Sequence, residues 1–155
     1  MNADDAKRKE LADLMMVLPR KMIAVSRAVV SKYFKDTRIK PYHLMLVKGI
    51  GSCDGISQKE LGTMVPFDKS YISIGVRELI DMGFVRNSSE GKVHSLGLTD
   101  SGRDLMAMAD MMFDLTGTTV MGVFSQDELD EFTRLMKKID VHIDEVLLKY
   151  TQDNS

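Results

Sequence analysis

Seven residues between Lys69 and Glu78 carry the side chains best suited to touching another molecule. Lys69, Ser70, Tyr71, Ser73, Ile74, Arg77 and Glu78 fall on one side of a helical pattern whose other side is Ile72, Val76 and Leu79. The hydroxyls of Ser70 and Ser73 can hydrogen-bond phosphates or base edges. Tyr71 can do either, or touch a thymine methyl. Lys69 and Arg77 are the cations of this stretch. Ser57 and Gln58 open the preceding helical segment, where backbone N–H groups at a helix start suit phosphate. Lys92 and His94 lie at the tip of a hairpin pattern further on and can reach a minor groove or a phosphate. Together these groups fit an element laid in the major groove of double-stranded DNA.

The local punctuation says what positions them. Ser57-Gln58-Lys59-Glu60 is a capping box that starts a short helix. That helix ends near Met64, because Pro66 disfavours helical geometry at Val65. Asp68 caps a second helix running to Met82, and Gly83 is placed to end it. Residues 84–86 read as a strand, residues 88–91 as a turn and residues 93–98 as the returning strand, with Leu96 and Leu98 on one face. Residues 55–99 therefore read as a helix-turn-helix followed by a β-hairpin wing.

The rest of the chain is helical in pattern. Residues 8–36 repeat apolar side chains at three- and four-residue steps from Leu11 to Tyr33. Pro19 falls inside that run, which predicts either a kinked helix or two segments meeting there. Pro41 opens a helix to about Ile50, with Leu44, Val47 and Ile50 in register. After Thr99, a helix is expected to about Thr116, with Leu105, Met108, Met112 and Leu115 inward, loosened by Gly117-Thr118-Thr119. Ser125-Gln126-Asp127-Glu128 is a second capping box, opening a last helix to about Tyr150. Its apolar stripe runs through Leu129, Phe132, Leu135 or Met136, Ile139, Ile143, Val146 and Tyr150. The fold class is mainly α with a small β-hairpin wing.

At 155 residues and 44% hydrophobic, the sequence suits one domain with a real core. Apolar runs are broken every few residues, so no membrane span is expected. The charged start, Met1 to Met16, has no signal-peptide pattern. One cysteine, Cys53, cannot form an internal disulfide, which suits a reducing cytoplasm. The formal charge is −2, but it is unevenly spread. Residues 20–53 hold eight Lys/Arg against Asp36 alone, whereas residues 100–155 hold five against twelve Asp/Glu. Residues 54–99 sum to −1, so the reading head itself is not basic. Arg38, Lys40 and Lys48 supply positive charge to a DNA face if they lie beside it.

Other groups carry weaker signals. Asp54 beside Cys53 discourages thiolate formation, so an incidental thiol is favoured over a redox sensor. His43, His94 and His142 lack metal-ligand spacing, and no metal or other cofactor is expected. His43, with Arg20 or Arg27 as a charge partner, is a candidate contact for a small anionic or aromatic ligand; a half-buried structural His is the plainer reading. Thirteen Met suit an adaptable pocket or ordinary core filling. No phosphate loop, nucleophile elbow or paired carboxylate supports an enzyme.

Three segments resemble the multiple antibiotic resistance regulator (MarR) family of winged-helix transcription factors: ISQKELG, DKSYIS with LIDMGFV, and LTDSGRDLM after the hairpin. The resemblance covers residues 8–150, with the LTDSG turn its most specific part. It implies one MarR-like domain over residues 1–155, with dimerisation helices at 8–36 and 100–150 and a DNA-binding lobe at 40–99. It further implies a homodimeric, cytoplasmic regulator of transcription, generally a repressor, that reads a roughly palindromic operator and answers to a small-molecule effector. Two features depart from the family. Ile74 stands where Arg is frequent, and Glu90-Gly91-Lys92 replaces the Asp-x-Arg pair of a longer wing. These departures keep an alternative open: a winged-helix adaptor or anti-regulator that binds protein, with weak or no DNA binding.

Overall fold

The computed structural model describes residues 3–34, 38–90 and 93–152. Six helices and one hairpin follow in the order α1 Ala3–Tyr33, α2 Pro41–Ser52, α3 Gln58–Met64, α4 Lys69–Asp81, β1 Val85–Glu90, β2 Val93–Leu98, α5 Asp100–Met121 and α6 Gln126–Gln152. The chain forms two compact units, Met1–Thr116 and Gly117–Ser155, with the division inside α5.

The core of the first unit is the winged helix-turn-helix. Leu46, Val47 and Ile50 of α2, Leu61 of α3, Ile72, Val76 and Leu79 of α4, and Leu96 of β2 are all essentially buried. Each such side chain contributes about 1.5–3 kcal/mol on leaving water, so this layer dominates the stability of the lobe. The expected inward residues of α2, α4 and β2 are all in it.

The caps form as their spacing predicts. The Ser57 hydroxyl accepts from the Glu60 N–H at 3.2 Å, and the Ser57 N–H donates to the Glu60 carboxylate at 2.9 Å. Asp68 accepts from the Tyr71 N–H at 2.8 Å. Gly83 ends the helix-turn-helix in the left-handed region, at φ +80°, which any side chain would strain. Thr99 then ties the hairpin back to this turn. Its hydroxyl donates to the Gly83 carbonyl at 2.7 Å and accepts the Gly102 N–H at 3.0 Å, which caps α5. A Cβ on Gly102 would stand 2.0 Å from the Phe84 carbonyl oxygen. The LTDSG turn is thus the joint that fixes the wing against the start of α5.

Four boundaries differ from the sequence expectation. α1 begins at Ala3, not at residue 8, and is one helix through Pro19 and not two segments. α2 continues through Gly51 and Ser52. β1 carries on through Asn87–Glu90, where a turn was expected, because Ser88 pairs with Ser95, Ser89 with His94 and Glu90 with Val93. Cross-strand pairing outweighs the turn preference of Asn and Ser there. α5 continues to Met121, because a glycine costs a helix interior only about 1 kcal/mol and Gly117 does not break it. Met108, expected inward, is 38% exposed. Residues 54–56 add a short third edge to the hairpin, with Ile56 bridged to Leu96.

In the second unit, α6 opens with the predicted box, the Ser125 N–H donating to Glu128 at 2.9 Å. Phe124 stacks on Phe132 with centroids 5.4 Å apart. Among the described side chains of α6 none is buried, and Leu135, Ile143 and Val146 of its apolar stripe are exposed. Among the described residues, no helix is long and apolar enough to cross a membrane.

Candidate nucleic-acid interface

α4 is held on one side and free on the other. Its inner side packs on α2 at Gly75, where an added Cβ would meet Leu46 Cδ1 at 2.4 Å and Tyr42 Cε2 at 2.8 Å. The close approach puts Glu78 beside the start of α2. The Tyr42 hydroxyl donates to Glu78 Oε2, His43 Nε2 lies 2.7 Å from the same oxygen, and Lys40 Nζ lies 3.3 Å from Oε1.

The tautomer of His43 follows from its other nitrogen. Nδ1 accepts the Lys40 backbone N–H at 3.1 Å, so the ring proton sits on Nε2 and is donated to Glu78. Burial lowers the His43 pKa, and the Glu78 carboxylate only partly offsets it. The hydrogen bond from Tyr42, then that from His43, holds Glu78 down at about 2. Burial, then the bond to Glu78, pushes the Tyr42 phenol up. A neutral His, a neutral phenol and a carboxylate therefore clamp α4 to α2. Glu78, which periodicity places outward, is in fact part of this clamp.

The free side carries Lys69, Ser70, Ile74 and Arg77, all exposed, with Ser73 half-buried. The polar side chains among them make no hydrogen bond or ion pair with any described residue, so their donors face solvent. Tyr71 is 45% exposed, but its ring packs against Tyr42 and Phe67 at centroid distances of 4.8 and 5.4 Å.

The remaining expected contacts are placed less simply. Ser57 is engaged by Glu60, whose carboxylate takes both the Ser57 N–H and the hydroxyl, at 2.9 and 2.7 Å. The start of α3 therefore presents an acid where free N–H groups were expected. Those bonds, the backbone one first, hold the Glu60 pKa below its usual value. Gln58 has no side-chain partner among the described residues. Lys92 lies outside the described residues. His94 pairs with Ser89 through the backbone of β2, and its side chain is likewise outside the description. Of the flanking cations, Lys48 pairs with Asp110 and Lys40 with Glu78, so both are drawn into the lobe's own contacts. Arg86 was not singled out from the sequence. It is exposed on β1 and pairs with Asp54 at 3.7 Å.

The ligand candidates separate. Arg27 lines a cleft of about 940 Å³ walled by Met22, Ile39, Met45, Phe67 and Tyr71. Arg20 does not line it. His43 does not either, because its ring is buried and committed to Glu78 and Lys40. The sequence reading paired His43 with Arg20 or Arg27, and of the three only Arg27 lines the cleft.

No family model and no curated protein matches this chain by sequence. Solved structures match its shape. A MarR transcriptional regulator from Methanosarcina mazei superimposes with a TM-score of 0.75 at 17% identity, over 89% of this chain and 92% of its own. The chain has the MarR winged-helix fold. A Mycobacterium tuberculosis MarR family protein in complex with p-aminosalicylic acid matches with a TM-score of 0.68 at 18% identity, over 84% of this chain and 98% of its own. Bordetella bronchiseptica BpsR, whose DNA binding is regulated by 6-hydroxynicotinic acid, matches at 0.72 and 12% identity, over 83% and 92%.

Proposed function

We propose that the protein is a homodimeric DNA-binding transcription regulator, acting as a repressor on a pseudo-palindromic operator. The observation that carries this reading is the division of α4. One side is clamped to α2, and the other offers Lys69, Ser70, Ser73 and Arg77 without partners among the described residues. A helix fixed this way and followed by a wing is built to enter a major groove. Gln58 is the candidate contact from α3, and Arg86, Lys92 and His94 are those of the wing.

The cleft beside Arg27 suits a small aromatic anion that releases the DNA. Its apolar walls would bury a ring and the guanidinium would take a carboxylate. Two proteins of the same fold are described with aromatic carboxylic acids, which supports that chemistry. Its wall is also tied to the reading helix. Tyr71 belongs to α4, and Tyr42 both lines the cleft and holds Glu78. A ligand that moves these rings shifts α4 and so alters its fit to DNA.

Ile74, exposed on the reading face of a stretch, residues 54–99, whose formal charge is −1, favours the adaptor as a second reading. Selection from a pool of random duplexes at low ionic strength separates the two. The regulator enriches an inverted repeat with half-sites about ten base pairs apart, and its affinity falls as salt rises. No enrichment of any sequence overturns the regulator and leaves the adaptor.

A further inference from the structure

Ile74 is the one aliphatic side chain on the free side of α4, and it stands in the middle. Ser70 lies one turn before it and Arg77 one turn after, and Ile74 is 52% exposed. Ser70 and Ser73 are short, so the branched side chain projects beyond its neighbours. It takes no part in the core or in the layer packed on it.

We propose that Ile74 reads the C5 methyl group of thymine, so that each half-site carries a thymine under the centre of α4. This rests on the DNA-binding reading above. Among the base edges in a major groove, thymine alone offers an apolar group to a side chain. Against that methyl, Ile74 gains apolar contact. Against guanine O6 or cytosine N4, it strips water from a polar edge and returns no hydrogen bond. The same position is thus attractive for thymine and unfavourable for a G·C pair. Its neighbours narrow the choice further. Glu78, one turn on, is an acceptor that would suit cytosine N4, but Tyr42, His43 and Lys40 occupy it. Arg77 keeps its guanidinium free for a guanine on the next turn.

The test uses a duplex recovered from the random pool and replaces its thymines one at a time by deoxyuridine. That change removes the methyl and leaves every hydrogen-bonding atom in place. Binding is read by fluorescence anisotropy for the wild-type protein and for Ile74→Ala, whose fold is checked by circular dichroism. One thymine per half-site is expected to matter, with deoxyuridine there weakening wild-type binding about threefold to fivefold, the transfer value of one buried methyl. Ile74→Ala should bind the two duplexes equally. If wild type binds DNA but is indifferent to deoxyuridine at every position, the thymine assignment is wrong and the DNA reading stands. The same holds if Ile74→Ala keeps the penalty, because the methyl then belongs to another side chain such as Tyr71. If no duplex is enriched at all, the regulator reading fails and takes this assignment with it.

Discussion

At the scale of single residues, the clamp between α2 and α4 is the least common chemistry in the lobe, because it buries an imidazole. His43 is neutral in the folded protein, donating from Nε2 to Glu78 and accepting from the Lys40 backbone. Its pKa lies below the ordinary 6.5 because of burial. The unfolded chain therefore takes up a proton at about pH 6.5 that the folded chain refuses. The stability contributed by neutral His43 is complete above about pH 6.5 and drains away as pH falls through that value toward the lower folded pKa, at up to about 1.4 kcal/mol per pH unit. Glu78 acts in a lower window. Its pKa is depressed from 4.5 to about 2, so its contribution is present above 4.5 and is lost as pH falls toward 2. Urea denaturation at several pH values between about 5 and 7.5 should show midpoints falling on the acid side. His43→Gln should be less stable at pH 7.5 and flatter across this range. A variant with the wild-type slope would place the titrating group elsewhere. The clamp was only half legible in the sequence. A histidine among Leu44, Leu46 and Val47 says that a partner is needed, but helical spacing put Glu78 on the opposite side. The partner is fixed by how α4 sits on α2, which local periodicity does not contain.

At the scale of elements, the position of α4 depends on a missing side chain. Gly75 is the point where the backbone of α4 comes down on Leu46 and Tyr42. In Gly75→Ala the new methyl must push α4 outward or displace both neighbours, and Tyr42 is also the donor to Glu78. The expected cost is about 1–3 kcal/mol despite the better helix propensity of alanine, with a loss of DNA affinity beyond what the stability change explains. Gly62→Ala in α3 is the control. Its Cβ would meet Ile72 Cδ1 at an ordinary 3.6 Å, so thermal denaturation should show it neutral or slightly stabilised. Equal behaviour of the two variants would contradict this account of the α2–α4 contact. Element starts were legible because capping is local: Ser57, Asp68, Thr99 and Ser125 all stand where a helix begins. Element ends were less so. The hairpin consumed residues 87–90 and α5 consumed Gly117 because pairing and helix continuation outweighed weak local preferences for turns.

At the scale of the molecule, much of the apolar surface of the described residues is exposed. α6 leaves Leu135, Met136, Ile143 and Val146 exposed along one stripe, and the first half of α1 does the same with Leu11, Leu14, Met15 and Leu18. Soluble chains rarely present such continuous stripes to water unless another protein covers them. The periodicity of both helices was plain in the sequence. What it could not say is that these side chains are exposed, since the same pattern also describes a helix packed on its own core. In the proposed dimer a second copy covers these stripes, and a reading head with few free cations then works beside a partner head. Two weak heads on one operator bind as a linked pair, so the second engages at a high effective concentration. Ile143→Asp places a charge in the middle of the α6 stripe, and the core of the winged lobe contains no residue of α6. The variant should therefore keep the lobe's thermal transition while sedimenting at half the wild-type mass. Its affinity for an inverted-repeat operator should fall by about a hundredfold, within the range that linkage provides, while its affinity for a single half-site stays that of the wild-type lobe. A variant that remains dimeric would assign the pairing surface to α1 or to another face. One that becomes monomeric yet binds the full operator undiminished would show that each lobe reads DNA alone, and the sparse charge of α4 would then be sufficient by itself.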